Sequence, residues 1–260
     1  MGRAAAGAPG LRRPAGVRAE AKAVELSEEE RAYVRLLVIW QDSFVLALNK
    51  PPGLSSQGGR GQQRTLDDLL HAFARSNGKR PQLVHRLDRD TSGVILAAKT
   101  QPAASALGKA LMAKRFSKTY LALVGGAPEP RSGVVDVPLR REEIGREAYT
   151  RVAEEGEGDV ALTRYRTLAA TPDAALVEAR PETGRMHQIR VHMAHLGRPL
   201  LGDTRYGGAL VAGGHAAPRL MLHASTLEFP HPDGGRRRVN APLPADFAGL
   251  AKALGLKPPA

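Results

Sequence analysis

The sequence predicts an α+β fold, in which a mixed, largely antiparallel sheet forms the core and helices flank it. Predicted strands outnumber predicted helices, and they do not alternate regularly with them, as they would around a parallel sheet. Hydrophobic residues make up 42% of the 260 residues but aromatic residues only 4%, so leucine, valine and alanine must build the core. We expect a folded domain over residues 27–260, preceded by a basic, disordered arm over residues 1–26.

The arm is rich in alanine, glycine, proline and arginine. Its first 18 residues contain four arginines and no acidic residue, so it could contact phosphate groups. A mitochondrial transit peptide also begins in this way, but the glycines and prolines disfavour the amphipathic helix that it needs. A cytoplasmic location is therefore expected first and a mitochondrial one second.

The folded part begins with a capping box at Ser27 and Glu30, which predicts a short helix. Pro51 cannot donate a ladder hydrogen bond and should end the second strand. Thr65 is predicted to cap a helix that buries leucines and Phe73 on one face. The strands are predicted at 36–40, 44–48, 83–84, 94–98, 118–124, near 134–137, 149–152, 162–168, 175–179 and 220–227, and the later helices at 102–114, 186–196 and 246–253.

Charge and composition narrow the class of protein. The net charge is +12 and the sequence pI is about 10.4, which favours a polyanionic partner, with nucleic acid first and an anionic membrane surface second. No apolar run approaches the roughly 18 residues that a spanning helix needs. The absence of cysteine excludes disulfides, cysteine–zinc sites and thiol nucleophiles.

The segment His85–Gly93 carries the strongest local signal. It places Asp88 between Arg86 and Arg89 and puts Asp90 directly before a Thr-Ser-Gly turn, so both carboxylates lie in a loop between two predicted strands. Neighbouring arginines keep a carboxylate ionised, and a positioned anion can act as a nucleophile on a polyanionic substrate. The alternative is a tight turn that a salt bridge stabilises.

Two further segments carry candidate functional residues. His187 and Arg190 are three apart on a predicted helix, and Arg190 could bind a carboxylate through two hydrogen bonds. The alternative is an exposed basic helix face. Tyr120 should point to the opposite face of its strand from Thr119 and Leu121, where it either packs in the core, stacks on a base or relays a proton.

Other kinds of site fit the residues less well. A glycosidase needs an acid of raised pKa, which the arginines beside Asp88 and Asp90 oppose. A metal site at His187, His192 and His195 lacks a carboxylate in a familiar pattern, so we expect neither metal nor cofactor. A non-catalytic RNA-binding protein would explain the charge equally well.

The motifs together resemble those of the RluA family of pseudouridine synthases, in the family's order from about residue 36 to 232. The similar segments are Asn49–Leu54, His85–Gly93, Lys118–Ala122, Gly184–Arg190, Gly202–Gly207 and Arg219–Ala224. The resemblance implies that residues 27–260 are a pseudouridine synthase-like catalytic domain. Many members also carry an N-terminal S4 domain, which the roughly 35 residues before the first strand cannot hold.

The resemblance also implies residue roles. Asp88 is the nucleophile that initiates cleavage of the glycosidic bond, by attack on either the uracil or the ribose, and Arg190 pairs with it. Tyr120 lies against the uracil and takes the C5 proton. Arg86 fills the space of the flipped uridine, and Leu222 packs under the uracil unless it is a plain core leucine. The other predicted RNA contacts are Lys50, His85, Arg89, Arg185, His187 and Gln188.

The expected partner is structured RNA, with ribosomal RNA first and transfer RNA second. The alternative is a non-catalytic RNA-binding protein of the same fold. We expect no membrane association and no obligate protein partner.

Overall fold

The computed structural model describes residues 24–58, 64–145, 147–154 and 156–257. Most of the predicted arm, residues 1–23, lies outside the described residues. The helices are α1 (Glu28–Leu36), α2 (Leu66–Leu69, continued by a 3₁₀ turn at Leu70–Phe73), α3 (Gln101–Met112), α4 (Gln188–His195) and α5 (Ala245–Ala253). The strands are β1 (Val38–Gln41), β2 (Val45–Lys50), β3 (Gln82–Leu83), β4 (Ser92–Ala98), β5 (Ser117–Val124), β6 (Ser132–Asp136), β7 (Leu139–Ile144), β8 (Glu147–Val152), β9 (Leu162–Ala170), β10 (Ala175–Pro181), β11 (Val211–Ala212), β12 (His215–Ala216), β13 (Leu222–Pro230) and β14 (Arg236–Asn240).

One large sheet organises the described part of the chain. Its order is β1-β2-β4-β13-β5-β10-β9-β6, with β3 paired to β4 and β14 paired to β13. Among the described strands, only β4 and β13 pair in parallel. Two small hairpins, β7–β8 and β11–β12, stand apart from this sheet. The predicted α+β fold with a mixed, largely antiparallel sheet is confirmed.

The hydrophobic core occupies both faces of the central strands. On β5, Tyr120 and Ala122 belong to the larger cluster, whereas Leu121 and Leu123 belong to a second cluster that α5 covers through Phe247. This alternation confirms that Tyr120 faces away from Leu121, as a period of two requires.

Several element boundaries differ from the prediction. Helix α1 continues through Leu36, so β1 begins two residues later than expected. Helix α3 begins at Gln101, one residue before the predicted start, and buries Ala103, Leu107 and Ala110. Helix α4 begins at Gln188 because His187 has a left-handed backbone, with φ 55°. Strands β7, β11, β12 and β14 were not predicted, since charged or very short strands lack a clear alternation.

A close backbone contact fixes the strands that carry the site. Gly93 pairs with Ala224 where β4 and β13 run in parallel, and Ala224 also pairs with Tyr120 of β5. Gly93 has φ +116°, and a Cβ there would lie 2.2 Å from the carbonyl oxygen of Ala224. Only glycine permits this approach. The start of β4, Tyr120 and the start of β13 therefore lie side by side.

Candidate active site

Asp88 lies in the loop between β3 and β4, and neighbouring backbone holds that loop on both sides. The amide of Thr91 donates to the carbonyl oxygen of Asp88 at 3.2 Å, which closes the turn. The hydroxyl of Ser56 donates to the carbonyl oxygen of Leu87 at 2.7 Å and accepts from the amide of Leu87 at 3.0 Å. The carboxylate stays accessible, with 30% of the side chain exposed. A fixed backbone with an accessible carboxylate suits a nucleophile.

Lys50 is fully buried and binds the backbone of this loop. Its Nζ donates to the carbonyl oxygens of Pro51 and Leu54 at 2.8 Å and to that of Arg89 at 2.9 Å. Burial lowers the pKa of Lys50 to about 7, although Asp90 and Asp88 act against this shift. Three carbonyl acceptors use all three protons of an ammonium group. The prediction that Lys50 contacts RNA is therefore corrected, because the side chain joins two loops in the interior.

His85 and Gln188 also lie inside the protein. His85 Nε2 accepts from the amide of Leu96 at 3.2 Å, and burial lowers the pKa of His85 to about 3. Gln188 accepts from the amide of Arg185 at 3.0 Å and donates to the carbonyl oxygen of Leu162 at 2.9 Å. We correct both predicted RNA contacts, since these side chains are almost fully buried and bonded to backbone.

Two nitrogen-containing side chains, the imidazole of His187 and the guanidinium of Arg190, face Asp88 from the start of α4. Arg190 Nη1 lies 3.8 Å from Asp88 Oδ2, and His187 Nε2 lies 3.9 Å from the same oxygen. Arg190 forms its two short hydrogen bonds elsewhere, with both carboxylate oxygens of Asp203 at 2.7 Å. Burial alone would lower the pKa of Arg190, but the hydrogen bonds and charge of Asp203 raise it. The predicted bidentate geometry occurs, but its partner is Asp203, and Asp88 receives only a looser ion pair.

Tyr206 connects the two groups that face Asp88. Its Oη lies 2.7 Å from His187 Nδ1, and the guanidinium carbon of Arg190 lies 5.0 Å from its ring centre. The left-handed backbone of His187 costs on the order of 1 kcal/mol, so the surrounding contacts must hold it. Sequence reasoning missed Asp203 and Tyr206, although the quoted segment Gly202–Gly207 contains both. The sequence signal that could have identified them is an acidic and an aromatic residue in a short segment bounded by glycines.

Tyr120 completes the site from β5. It is 9% exposed and packs in the larger core cluster, which also contains Leu222. Burial raises the pKa of Tyr120, and the charge of nearby Asp88 adds to the shift. The phenol is therefore protonated in the resting site. Contact of Leu222 with a uracil stays a prediction.

Apart from His187, the remaining predicted RNA contacts are three exposed arginines. The guanidinium of Arg86 is exposed and forms no ion pair or hydrogen bond with the described residues, so it is available to a ligand. Arg89 donates to the carbonyl oxygen of Gly53 at 3.1 Å, and Arg185 pairs with Asp159 at 3.3 Å. Neither flanking arginine, Arg86 nor Arg89, forms an ion pair with Asp88 in the described structure, which counts against the alternative of a turn that a salt bridge stabilises.

The described residues contain no group of three or more histidine, aspartate or glutamate side chains placed to hold a metal ion. His192, one of the three weighed as ligands, instead lies 2.9 Å from the hydroxyl of Thr163. Independence from metal stays a prediction. None of the described helices is both long and apolar enough to cross a membrane.

Comparison with known proteins identifies the family. The sequence model described as RNA pseudouridylate synthase matches residues 44–195, which include Asp88, Tyr120 and Arg190. This chain belongs to that family. The resemblance predicted from the motifs is confirmed, and the enzyme is an isomerase that converts uridine to pseudouridine in RNA.

Relatives match most of the chain. The ribosomal large subunit pseudouridine synthase D of Xanthomonas campestris pv. campestris is 41% identical over 236 residues, which cover 85% of this chain and 70% of the relative. The synthase C of Escherichia coli K12 is 38% identical over 231 residues, which cover 86% and 72%. The solved structure of human RNA Pseudouridylate Synthase Domain Containing 4 has a TM-score of 0.74 and 27% identity, covering 89% of this chain and 99% of that one.

Proposed function

We propose that this enzyme isomerises uridine to pseudouridine in the RNA of the large ribosomal subunit. The relatives named ribosomal large subunit pseudouridine synthases support the choice of ribosomal RNA. The net charge of +12 suits binding to a large polyanion. Transfer RNA is the second candidate. A cytoplasmic location and action without an obligate protein partner belong to the same proposal.

One observation carries the chemistry: an accessible carboxylate, Asp88, faces His187 and Arg190 and lies near Tyr120. In the proposed reaction, an oxygen of Asp88 forms a bond to the ribose or the uracil, the bond between N1 and C1′ breaks, and the bond to Asp88 breaks again as the product forms. The uracil rotates, C5 bonds to C1′, C5 loses its proton and N1 gains one. Atoms and electrons balance without an external oxidant or cofactor.

Tyr120 takes the C5 proton in this proposal. Because its raised pKa keeps the phenol protonated, it accepts that proton while passing its own to another group. Asp88 is the nearby acceptor once its bond to the substrate has broken, and it then gives up this proton, so that the gain at N1 balances the loss at C5. The buried tyrosine therefore serves as a relay between the uracil and the released carboxylate.

Arg86 is proposed to replace the target uridine in the RNA stack. Inside an RNA helix, the enzyme cannot reach the face of a stacked base and the base cannot rotate, so the nucleotide must leave the stack. The exposed guanidinium of Arg86 is planar and lies two residues from Asp88.

The test is to map pseudouridines in the RNA of cells that carry the wild-type protein, Asp88→Asn or no protein. We expect one or more ribosomal positions to lose pseudouridine equally in the last two strains. Asp90→Asn is the control on the same loop and should retain most of the modification. Loss confined to transfer RNA would replace the proposed substrate, and an active Asp88→Asn protein would refute the nucleophile.

A binding assay on the purified proteins separates chemistry from affinity. Asp88→Asn should bind a ribosomal RNA fragment with nearly wild-type affinity, because one accessible carboxylate contributes little to phosphate binding. The purified wild-type chain alone should modify the same fragment. A requirement for a second protein would contradict the proposal that it acts without one.

A further inference from the structure

One ring nitrogen of His187 faces the carboxylate of Asp88, and the other lies within hydrogen-bond distance of Tyr206. Its Nε2 lies 3.9 Å from Asp88 Oδ2, and its Nδ1 lies 2.7 Å from Tyr206 Oη. Its left-handed φ of 55° is a conformation that L residues with a side chain rarely adopt. The backbone strain and the short contact together indicate that this ring is held in place for a purpose other than starting a helix.

The partner of Tyr206 determines which way the hydrogen bond to His187 runs. The amide of Thr150, on β8, donates to Tyr206 Oη at 3.0 Å. An amide can only donate, so it occupies one acceptor position of the hydroxyl and favours donation of the single hydroxyl proton to His187. Nδ1 is then the acceptor. In a neutral imidazole, the proton must therefore be on Nε2, the nitrogen that faces Asp88.

The surroundings favour the neutral ring. Burial lowers the pKa of His187, and the positive charges of Arg190 and Arg205 lower it further. Asp88, the largest influence after burial, acts in the opposite direction together with Asp203, but the pKa of His187 remains lowered. A neutral ring whose proton is on Nε2 can donate to Asp88 without neutralising the charge of the carboxylate.

We propose that Tyr206 fixes the tautomer of His187, so that the neutral imidazole donates a hydrogen bond from Nε2 to Asp88 when substrate fills the site. The two nitrogen groups then have different tasks. Arg190 supplies positive charge from a position set by Asp203, and His187 supplies a directed donor that orients one carboxylate oxygen. Tyr206 is a positioning residue that acts through His187. The inference rests on the proposed role of Asp88 as nucleophile.

A double-mutant cycle tests this coupling. Tyr206→Phe keeps the ring beside Arg190 but removes the hydroxyl, whereas His187→Asn removes the Nε2 donor and tolerates a left-handed backbone. Each single variant should lower kcat about tenfold, the effect of one lost hydrogen bond, with KM within about twofold of wild type. The double variant should be no worse than either single one. Losses that multiply would overturn the proposal, because two independent structural defects behave in that way.

Tyr149→Phe is the matched control. Tyr149 lies next to Thr150 on the same strand, but its hydroxyl bonds to Glu147 at 2.9 Å and not to His187. We expect wild-type kcat for this variant. A tenfold loss would show that the hairpin tolerates no such change and would count against the specific role of Tyr206.

Nitrogen-15 NMR of the histidine rings gives a readout that does not depend on activity. The signal of His187, identified by its loss in His187→Asn, should show the neutral form protonated on Nε2 at pH 7. In Tyr206→Phe it should shift toward a mixture of tautomers. An imidazolium, or a proton on Nδ1, would overturn the proposal even if Asp88 is the nucleophile. An active Asp88→Asn enzyme with the expected tautomer would instead refute the proposed function.

Discussion

The carboxylate of Asp88 is surrounded by groups from separate parts of the chain. His187 and Arg190 approach it from α4, Tyr120 lies near it on β5, and Lys50 holds its loop from the end of β2. None of these side chains touches Asp88 at hydrogen-bond distance in the described structure. At the residue scale, the site therefore depends on residues that position the side chains facing Asp88. Asp203, which binds Arg190 through two hydrogen bonds, is the clearest example.

Asp203→Asn should disrupt the placement of Arg190. An amide supplies only one acceptor oxygen, so the buried guanidinium loses its charged, bidentate partner. We expect kcat to fall about a hundredfold while RNA affinity stays close to wild type, measured by single-turnover kinetics and filter binding. Asp246→Asn is the control, because Asp246 binds Arg219 in the same bidentate way at 2.7 and 2.8 Å. Equal losses in both variants would indicate general destabilisation.

Arg86→Ala should slow the reaction most on structured RNA. If the guanidinium fills the gap in the stack, its loss removes compensation for unstacking, which costs a few kcal/mol. The defect should shrink on an unstructured oligonucleotide that contains the same uridine. Arg89→Ala, which changes another exposed arginine of this loop, should have the same effect on both RNAs. A defect of equal size on both substrates for Arg86→Ala would rule out the stacking role.

At the scale of elements, the parallel pairing of β4 with β13 brings the site together. It places the end of the Asp88 loop beside Ala224, which pairs in turn with Tyr120. The hairpin β7–β8 contributes the amide of Thr150 to the site, although it is not part of the main sheet.

Gly93→Ala should therefore damage both stability and activity. The added Cβ would meet the backbone of Ala224 at 2.2 Å, and neither strand can move without breaking the pairing. We expect a loss of at least about 3 kcal/mol in the free energy of unfolding, measured with urea. Gly108→Ala is the control: it lies inside α3 with open space around it, and should stabilise the protein by about 0.5–1 kcal/mol. A folded, active Gly93→Ala enzyme would contradict this account.

At the scale of the whole molecule, buried histidines make the fold sensitive to acid. Burial lowers the pKa of His85 to about 3 and the pKa values of His192 and His223 to about 4. The unfolded chain binds these protons near pH 6.5, but the folded chain does not. The contribution of these three histidines to stability is therefore present above about pH 6.5 and is lost as the pH falls toward 4.

Each of these histidines should lower the free energy of unfolding by about 2 kcal/mol between pH 6.5 and pH 5. Urea unfolding at pH 7, 6 and 5 measures the sum, and NMR should show that the three rings stay neutral at pH 5. Titration of the three rings near pH 6.5 in the folded protein would contradict the expectation.

The sequence by itself determined the family, the fold class and most of the core strands, because periodicity and ordered motifs are local properties. It also predicted the capping box of α1, the opposite faces of Tyr120 and Leu121, and a bidentate arginine at position 190. The tertiary structure alone decided that Asp203 is the partner of that arginine. It also turned Lys50, His85 and Gln188 inward, away from RNA. The physical reason is that a polar side chain has the same local pattern whether it meets solvent or a distant carbonyl oxygen. Packing between segments far apart in the chain determines which of the two it meets.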